Sequence, residues 1–519
     1  MASTVALIAT GPPDISEFGL RSIAAYLKTH GIAVRSIFLP GGVERLRHRT
    51  DYIYQYQHTT LNSLKHLLSD VDLVGFSLMS NYLDRAAQVS GFIRKHLDVP
   101  IVWGGIHPTV KPLQSLKYCD FVVRGEGEDA MLELVENLAQ GNHTPSVRNV
   151  WYKAQGRLVR HEQRPFISDI NKLPYMDYAL DDAFITDLTT HEVVPLTAGL
   201  FEKTLLYERP FGKRAVRTLK IYASRGCPFK CSYCANSTLY RLSPGKGYFR
   251  VERVERMIDR LCLLKEAYPF IGAINIFDDV FTARPDEDIE RFCALYDRHI
   301  SLPFQVQVTP KHINKRILKR MLTSGLYYVE MGIQSISDKA QSLYKRRVKS
   351  ADIQQAAQLI HAHGNKMNAP CYHVILDNPW ETREDVLQTI DLLLALPKGY
   401  WLKRASLTLF PGTTLYEKAK QEGLMIDEFQ QIYRKNLITP EVNYLNFLVY
   451  LCGKAFVPRF MIHLLKKPLF FRLFEHPLLY KPIRAVMWLV DTMELAGKGL
   501  KALLKWDIPR IIAYIKRVR

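Results

Sequence analysis

The sequence predicts an α/β protein in four successive parts. These are an N-terminal doubly wound, Rossmann-like parallel sheet over residues 1–142, a linker and lid over 143–217, a partial (β/α)6 barrel of TIM type over 218–420, and a basic amphipathic helical region over 421–519. Three observations carry this. From Thr4 to about Gly141, apolar runs of about five residues alternate with amphipathic stretches, the rhythm of buried parallel strands joined by helices. The rhythm lapses from Asn142 to about Arg217. From Leu219 it returns as six strand and helix units without a crossover break, which fits a barrel better than a second open sheet.

In order, the first part reads as strands at "TVALIA", "VRSIFL", "VDLVGFS", "PIVWGG" and "CDFVVRG", with helices at "FGLRSIAAYLKTHG", "RAAQVSGFIRKHL" and "AMLELVENLAQG". "LRSIAAYLKTHG" has period-3.6 spacing and a terminal glycine that stops a helix. Open sheets bind ligands at the carboxyl ends of their strands. There the sequence places Ser77 to Asn81, "GGIHPT" (Gly104 to Thr109) and "RGEGE" (Arg124 to Glu128). Glycines at such ends either make tight turns or let backbone approach a large flat ligand or a phosphate. "RPFISDINKLPYMDYALDD" and the residues after it, as far as Arg217, read as linker and lid with short elements. The barrel strands are then "TLKIYAS", "IGAINIF", "FQVQV", "YYVEMGI", "CYHVIL" and "RASLTL". Helices such as "VERVERMIDRLCLLKEAY" and "REDVLQTIDLLLALP" separate them, and active-site residues are expected just after the strands.

With 47% hydrophobic and 23% charged residues, low-complexity and collagen-like classes are excluded. The start, "MASTVALIATGPPDISEFGL", has no basic n-region and its apolar run breaks at Gly11, Pro12 and Pro13, so a cytoplasmic protein is expected. The net charge of +19 is local: from Lys454 to Arg519 there are fourteen Lys or Arg against four Asp or Glu.

Cys227, Cys231 and Cys234 fall in "SRGCPFKCSYCAN", after the first barrel strand, while Cys119, Cys262, Cys293, Cys371 and Cys452 stand alone as expected core thiols. A structural zinc site needs four ligands, and the chain has no second C-x-x-C and no H-x-x-x-H. Three thiolates on a four-iron cubane leave one iron open for a ligand.

"CPFKCSYC" resembles the signature of radical S-adenosylmethionine enzymes, in which the open iron chelates the amino and carboxylate groups of that cofactor. "INIFDDVFT" (Ile274 to Thr282), "EMGIQS" (Glu330 to Ser335) and "LFPGTTLYE" (Leu409 to Glu417) resemble the second-, fourth- and sixth-strand motifs of the branch with an N-terminal cobalamin domain, and "GGIHPT" and "VRGEGE" are placed like that domain's motifs. The resemblance covers about residues 1 to 420. It implies a [4Fe-4S] cluster on Cys227, Cys231 and Cys234, S-adenosylmethionine near Tyr233, Asp278, Asp279, Gln334 and Ser335, and cobalamin near Ser77, Gly104, Gly105, His107, Thr109, Gly125 and Glu126. It further implies cleavage of S-adenosylmethionine to a 5′-deoxyadenosyl radical, with an electron donor such as flavodoxin or ferredoxin. Class B members pass a methyl group through methylcobalamin to an unactivated carbon. The anaerobic magnesium-protoporphyrin ester cyclases, which the sequence also resembles, close a ring without methyl transfer. Methylation is the first expectation, and cyclisation or rearrangement the alternative.

The sequence departs from the pattern in places. It has no D-x-H-x-x-G to supply a cobalt histidine, and His107, followed by Pro-Thr, reads as part of the binding loop rather than an axial ligand. The fifth strand ends "ILDNPWET", whose Trp380 either joins the substrate pocket or packs. One of Asp278 and Asp279 could instead cap a helix. Glu330 is a proton acceptor or a strand residue paired with a lysine, and His361, His363 and His373 read as structural. The tail sets Lys and Arg among Phe, Leu, Trp and Ile, broken by Pro458, Pro468, Pro477, Pro482 and Pro509, with no charge-free stretch long enough to span a bilayer. Such a segment lies on an anionic membrane surface or caps the barrel mouth, and the first reading makes a lipid-like substrate plausible. No nucleic-acid partner is expected.

Overall fold

The computed structural model describes residues 3–11, 14–41, 55–242, 247–435 and 437–504. Pro12, Pro13 and the tail beyond Leu504, Pro509 included, lie outside the described residues.

The first sheet is built on five parallel strands, β1 (Thr4–Ala9), β2 (Ala33–Phe38), β3 (Leu73–Ser77), β4 (Ile101–Gly104) and β5 (Phe121–Val123). Their side chains alternate faces, as a pleated strand requires. On β1, Val5, Leu7 and Ala9 join the core formed with helices Phe18–Thr29 and Glu128–Ala139, while Ala6 and Ile8 join the opposite core under helices His58–Leu67 and Leu83–His96. Being covered on both faces is why these strands read as unbroken apolar runs.

The stretch expected as linker and lid with short elements contributes four short strands to the edges of the first sheet. β6 (Val150–Ala154) and β7 (Arg157–Arg160) extend one edge as an antiparallel hairpin. β8 (Ala183–Thr186), parallel to β2, and β9 (Val193–Pro195) extend the other, giving the order β7-β6-β5-β4-β3-β1-β2-β8-β9. The missed signal is "AQGR": Gln155 and Gly156 both hold positive φ, at 49° and 75°, as in a two-residue type I′ hairpin turn.

The second sheet starts with β10 (Leu206–Glu208), antiparallel to β11 (Val216–Ile221). A small ribbon of β12 (Ser224–Arg225) and β13 (Arg250–Val251) comes next in the chain. Then come β14 (Ile271–Ile276), β15 (Phe304–Val308), β16 (Leu326–Gln334), β17 (Cys371–Leu376) and β18 (Trp401–Ser406). The order β10-β11-β14-β15-β16-β17-β18 keeps six parallel strands in chain sequence without the last closing on the first, a half-barrel. β18 begins three residues earlier than the apolar run "RASLTL" implies.

Among the described residues, the C-terminal helices build on the last barrel unit. Tyr444–Cys452 packs against helix Arg383–Ala395 and β18, on the flank of the last barrel unit. Helices Arg459–Leu465, Pro468–Phe474 and Tyr480–Leu504 complete the chain's described part, the first with Pro458 at its N-cap and the second beginning with Pro468. Among the described residues no helix is long and apolar enough to cross a membrane.

Candidate functional site: a cavity between the two sheets

A cavity of about 330 Å³ lies where the carboxyl ends of the first sheet's strands face the half-barrel. Ser77, Gly104, Gly105, Gly125 and Glu126 line it from the first domain, and Gly226, Asn236, Tyr248 and Asp279 from the second. Its apolar walls include Phe18, Ile23, Met131, Phe166, Met176 and Leu239.

The glycines do different work. A β-carbon on Gly104 would meet nothing nearer than 3.8 Å, so the protein's own packing does not demand glycine there; its absence of a side chain keeps the cavity floor clear. Gly105 answers to its own backbone: φ is +95°, and a β-carbon would stand 2.8 Å from the N and O of Leu78. Thr109 ties these loops together without reaching the cavity, its hydroxyl donating to Gly105 O at 2.7 Å and accepting from Gly125 N at 3.0 Å. His107 also stays behind the loop. It is fully buried, its Nδ1 is 3.1 Å from Ser80 Oγ, its ring packs edge-on to Tyr433, and its Nε2 has no partner. Burial pulls its pKa down to about 4, so it is neutral.

All eight cysteines are free thiols. Cys227, Cys231 and Cys234 sit directly behind the cavity wall, Gly226 and Asn236 flanking them in sequence. Among the described residues no three His, Cys, Asp or Glu side chains converge on one metal ion, and a four-iron cluster, which offers each thiolate a different iron, does not ask them to. Burial, above all, raises Cys227 to about 12 and Cys234 to about 11, so both hold their protons as free thiols and would have to give them up to serve as cluster ligands. Ser232 fixes the loop, its N–H donating to Tyr344 O at 3.1 Å and its O accepting from Leu415 N at 3.1 Å. The sixth-strand motif thus buttresses the loop, and Thr238 Oγ1 donates to Gly412 O at 2.7 Å from the helix after the cysteines. Tyr233 lies in that buttress, edge-on to Tyr344, with its hydroxyl 3.3 Å from Arg346 Nη1, and does not line the cavity.

Asp278 and Asp279 separate in role. Asp278 is 1% exposed; it accepts from Ala223 N at 2.7 Å and pairs with Arg284 at 3.2 Å, so it holds the chain ahead of the cysteine loop rather than facing a cofactor. Asp279 opens into the cavity and accepts from Asn236 Nδ2 at 2.9 Å. Desolvation by the cavity walls, with Asp278 adding to it against the Asn236 bond, lifts its pKa to about 6. Asn236 also brings the same amide nitrogen 3.7 Å from Cys234 Sγ and accepts from Tyr248 OH at 2.6 Å. Gln334 ends β16 at φ 69° and folds back over Gly332 in the barrel lumen. Ser335 turns the other way: 1% exposed, it donates to Glu381 and belongs to the core.

Two arginines to which the sequence reading assigns no role, one of them inside "SRGCPFKCSYCAN", join the halves. Arg225 and Arg250 stand opposite each other on β12 and β13. Both reach Glu126 at 3.0 Å, and Arg225 also pairs with buried Glu128 at 2.5 Å. Glu126 therefore serves as an interdomain clamp at the cavity wall, and its partner Arg225 stands two residues ahead of Cys227. A second clamp lies behind the His107 loop, where Lys111 meets Glu428 at 2.8 Å and Tyr416 OH at 2.6 Å. The spacing of "RGEGE" is plain in the sequence, but which cations it meets depends on a strand pair nearly a hundred residues away.

The lumen gathers polar side chains in register. Gly332, His373 and Lys403 align across β16, β17 and β18, one step along from Glu330. Glu330 Oε2 lies 2.9 Å from His373 Nε2, off the line of a good hydrogen bond, and 3.8 Å from Lys403 Nζ. Burial pushes the Glu330 pKa upward, but the His373 contact and the charges of Lys403 and Lys220 outweigh it and leave the carboxyl below its ordinary value. Glu330 is thus paired, and His373, read as structural, faces the lumen with it. Trp380 packs, donating to Glu422 at 2.6 Å.

Together the fold and the cavity define an enzyme that brings a glycine-floored cradle and a three-cysteine loop to one space. Residues 4–135 match the B12 binding domain and residues 221–393 the radical SAM superfamily. The chain belongs to the B12-binding radical S-adenosylmethionine enzymes, whose cofactors are cobalamin, a [4Fe-4S] cluster and S-adenosylmethionine. It is 27% identical over 366 residues to the uncharacterized methyltransferase PH0819 of Pyrococcus horikoshii, covering 69% of this chain and 71% of that one. It is 25% identical to the anaerobic magnesium-protoporphyrin IX monomethyl ester cyclase of Rubrivivax gelatinosus, over 61% of this chain and 53%, about half, of the cyclase. The solved structure of the radical S-adenosylmethionine methyltransferase TsrM from Kitasatospora setae, with cobalamin and cluster bound, shares the fold at 17% identity and a TM-score of 0.63, over 81% of this chain and 78% of that one. The residues present fit these groups: a cleared floor at Gly104 for a flat ring, and three free thiols in one loop beside it.

Proposed function

We propose that this enzyme methylates an unactivated carbon of a small, lipid-like molecule, taking the methyl group from S-adenosylmethionine by way of cobalamin. One observation carries the reading: a single cavity touches both the Gly104 floor and the Asn236–Asp279 flank of the cysteine loop, so both cofactor sites open onto one substrate space. Similarity to PH0819 over most of both chains supports methyl transfer as the outcome.

In this reading Cys227, Cys231 and Cys234 hold the cluster, Ser77, Gly104, Gly105 and Gly125 receive the corrin ring, and Asp279 faces S-adenosylmethionine. When bound, the cluster supplies the electron for cleaving S-adenosylmethionine and cobalamin carries the methyl group. The protein's own part is placement. Asn236 offers an amide donor near the Cys234 sulfur, the kind of contact that tunes a cluster's potential. The Arg225–Glu126–Glu128 clamp holds the two halves together so that the reacting groups meet in one orientation. Phe18, Phe166 and Met176 wall the space against water.

The test is anaerobic reconstitution with iron, sulfide and hydroxocobalamin, then addition of reductant or reduced flavodoxin and methyl-labelled S-adenosylmethionine. Formation of 5′-deoxyadenosine, S-adenosylhomocysteine and cobalt-bound label is expected. Deoxyadenosine with cobalt bound but never labelled would overturn methyl transfer in favour of cyclisation or rearrangement.

A further inference from the structure

The C-terminal helices are amphipathic in the inverted sense. In helix Tyr480–Leu504, Ile483, Met487 and Val490 turn inward, while Val486, Leu489 and Met493, at helical spacing on the adjoining face, are exposed. The same holds before it, where Phe460 is 71% exposed and Leu478 79%, with Ile462 and Phe471 buried. Of the exposed large hydrophobic residues described, twelve lie between Phe456 and Met493. Scattered apolar side chains on a surface need no explanation, but a concentration of this kind marks a contact surface.

The charges are sorted in the complementary way. The acids are consumed internally: Asp491 and Glu494 pair with Lys454 at 2.6 and 2.7 Å, and Glu475 pairs with Arg383. Lys467, Arg472, Lys481 and Arg484 are exposed and, among the described residues, have no acidic partner. We propose that this face docks the enzyme on an anionic bilayer surface, with Phe460, Leu478, Trp488 and Leu489 entering the interface and the four cations meeting lipid phosphates. A second copy of the chain is a poor occupant, because a two-fold contact would set cations against cations. The helices lie on the flank of the last barrel unit, so docking leaves the cavity between the sheets uncovered. The inference rests on these helices alone and is independent of the methyl-transfer reading.

The test uses the full chain, reconstituted with its cofactors, and flotation with vesicles of phosphatidylglycerol and phosphatidylcholine. Binding is expected, with at least about a tenfold weakening on pure phosphatidylcholine or in high salt. Joint replacement K467E/R472E/K481E/R484E removes about fivefold per cation. W488S/L489S, both exposed and so without cost to folding, weakens binding about tenfold or more. Cobalamin binding stays at the wild-type level in both variants, which shows that they are folded. Absence of vesicle binding, equal binding to neutral vesicles, or a dimer in solution that W488S/L489S dissociates would each overturn the proposal.

Discussion

The strand ends of the two sheets face one another across the same cavity but are furnished in opposite ways. The first sheet contributes mostly absence: Gly104, Gly105 and Gly125 with apolar walls around them, its carboxylates Glu126 and Glu128 being taken up by Arg225 and Arg250. The second contributes reactive and charged groups: three thiols, Asp279, and in the lumen Glu330, His373 and Lys403. In the proposed reading the difference teaches that one side receives a large rigid ligand by shape while the other serves electrons and charge. Each should therefore fail separately when altered, except where the clamp joins them.

The largest expected effect is on the charged side. Cys231→Ser abolishes cluster absorbance and S-adenosylmethionine cleavage in the reconstituted enzyme while leaving cobalamin titration unchanged. Cobalamin loss in that variant would show that the two sides are not separable. Next comes the joint between them. Arg225→Ala strands Glu128, whose side chain is 4% exposed, beside Glu126, and costs about 3 kcal/mol in chemical denaturation, with both cofactors bound less well. Adding Glu128→Gln restores part of that stability if the stranded charge is the cause.

The shape side is sharpened by two neighbouring glycines. Gly104→Val lowers cobalamin affinity by about tenfold or more without changing the melting temperature, because its side chain enters the cavity and not the core. Gly105→Ala does the reverse first, destabilising by about 1–2 kcal/mol through its positive φ and the approach to Leu78. The smallest effect is a pH dependence on the charged side. The folded pKa of Glu330 lies below its ordinary value, so its contribution is fully present above about pH 4 and is lost as pH falls through the folded pKa. Denaturation of Glu330→Gln should match wild type in strong acid and fall short near neutrality by under about 1 kcal/mol, since the pair is partly solvated.

Much of this architecture could be read from the chain. Runs such as "TVALIA" and "CYHVIL" coincide with β1 and β17 residue for residue, because strands largely buried on both faces leave a dense apolar signature, broken in β17 only by lumen-facing His373. The cysteine loop was legible because three thiols within eight positions have few physical uses. Less legible were β6 to β9, whose edge strands are short and half polar, so that only the "QG" turn betrays the hairpin. The adjacent pair Asp278 and Asp279 look alike in sequence, yet one is a buried brace and the other faces the cavity, since successive residues leaving a strand end point to opposite sides. His107 and Thr109, expected near cobalamin as part of its binding loop, sit within that loop and behind the cavity wall it forms.

By itself the sequence determined the α/β class, the order of the two domains, the three-thiol loop and the basic character of the tail, because these depend on local periodicity, residue chemistry and composition. Only the tertiary structure decided which glycine clears the cavity and which merely turns the chain, which carboxylates are consumed by Arg225 and Arg250, and that the tail turns its apolar side outward. Those are outcomes of contacts between residues up to a hundred or more positions apart, and a linear pattern carries no record of which distant partner will neutralise a charge or cover an apolar face.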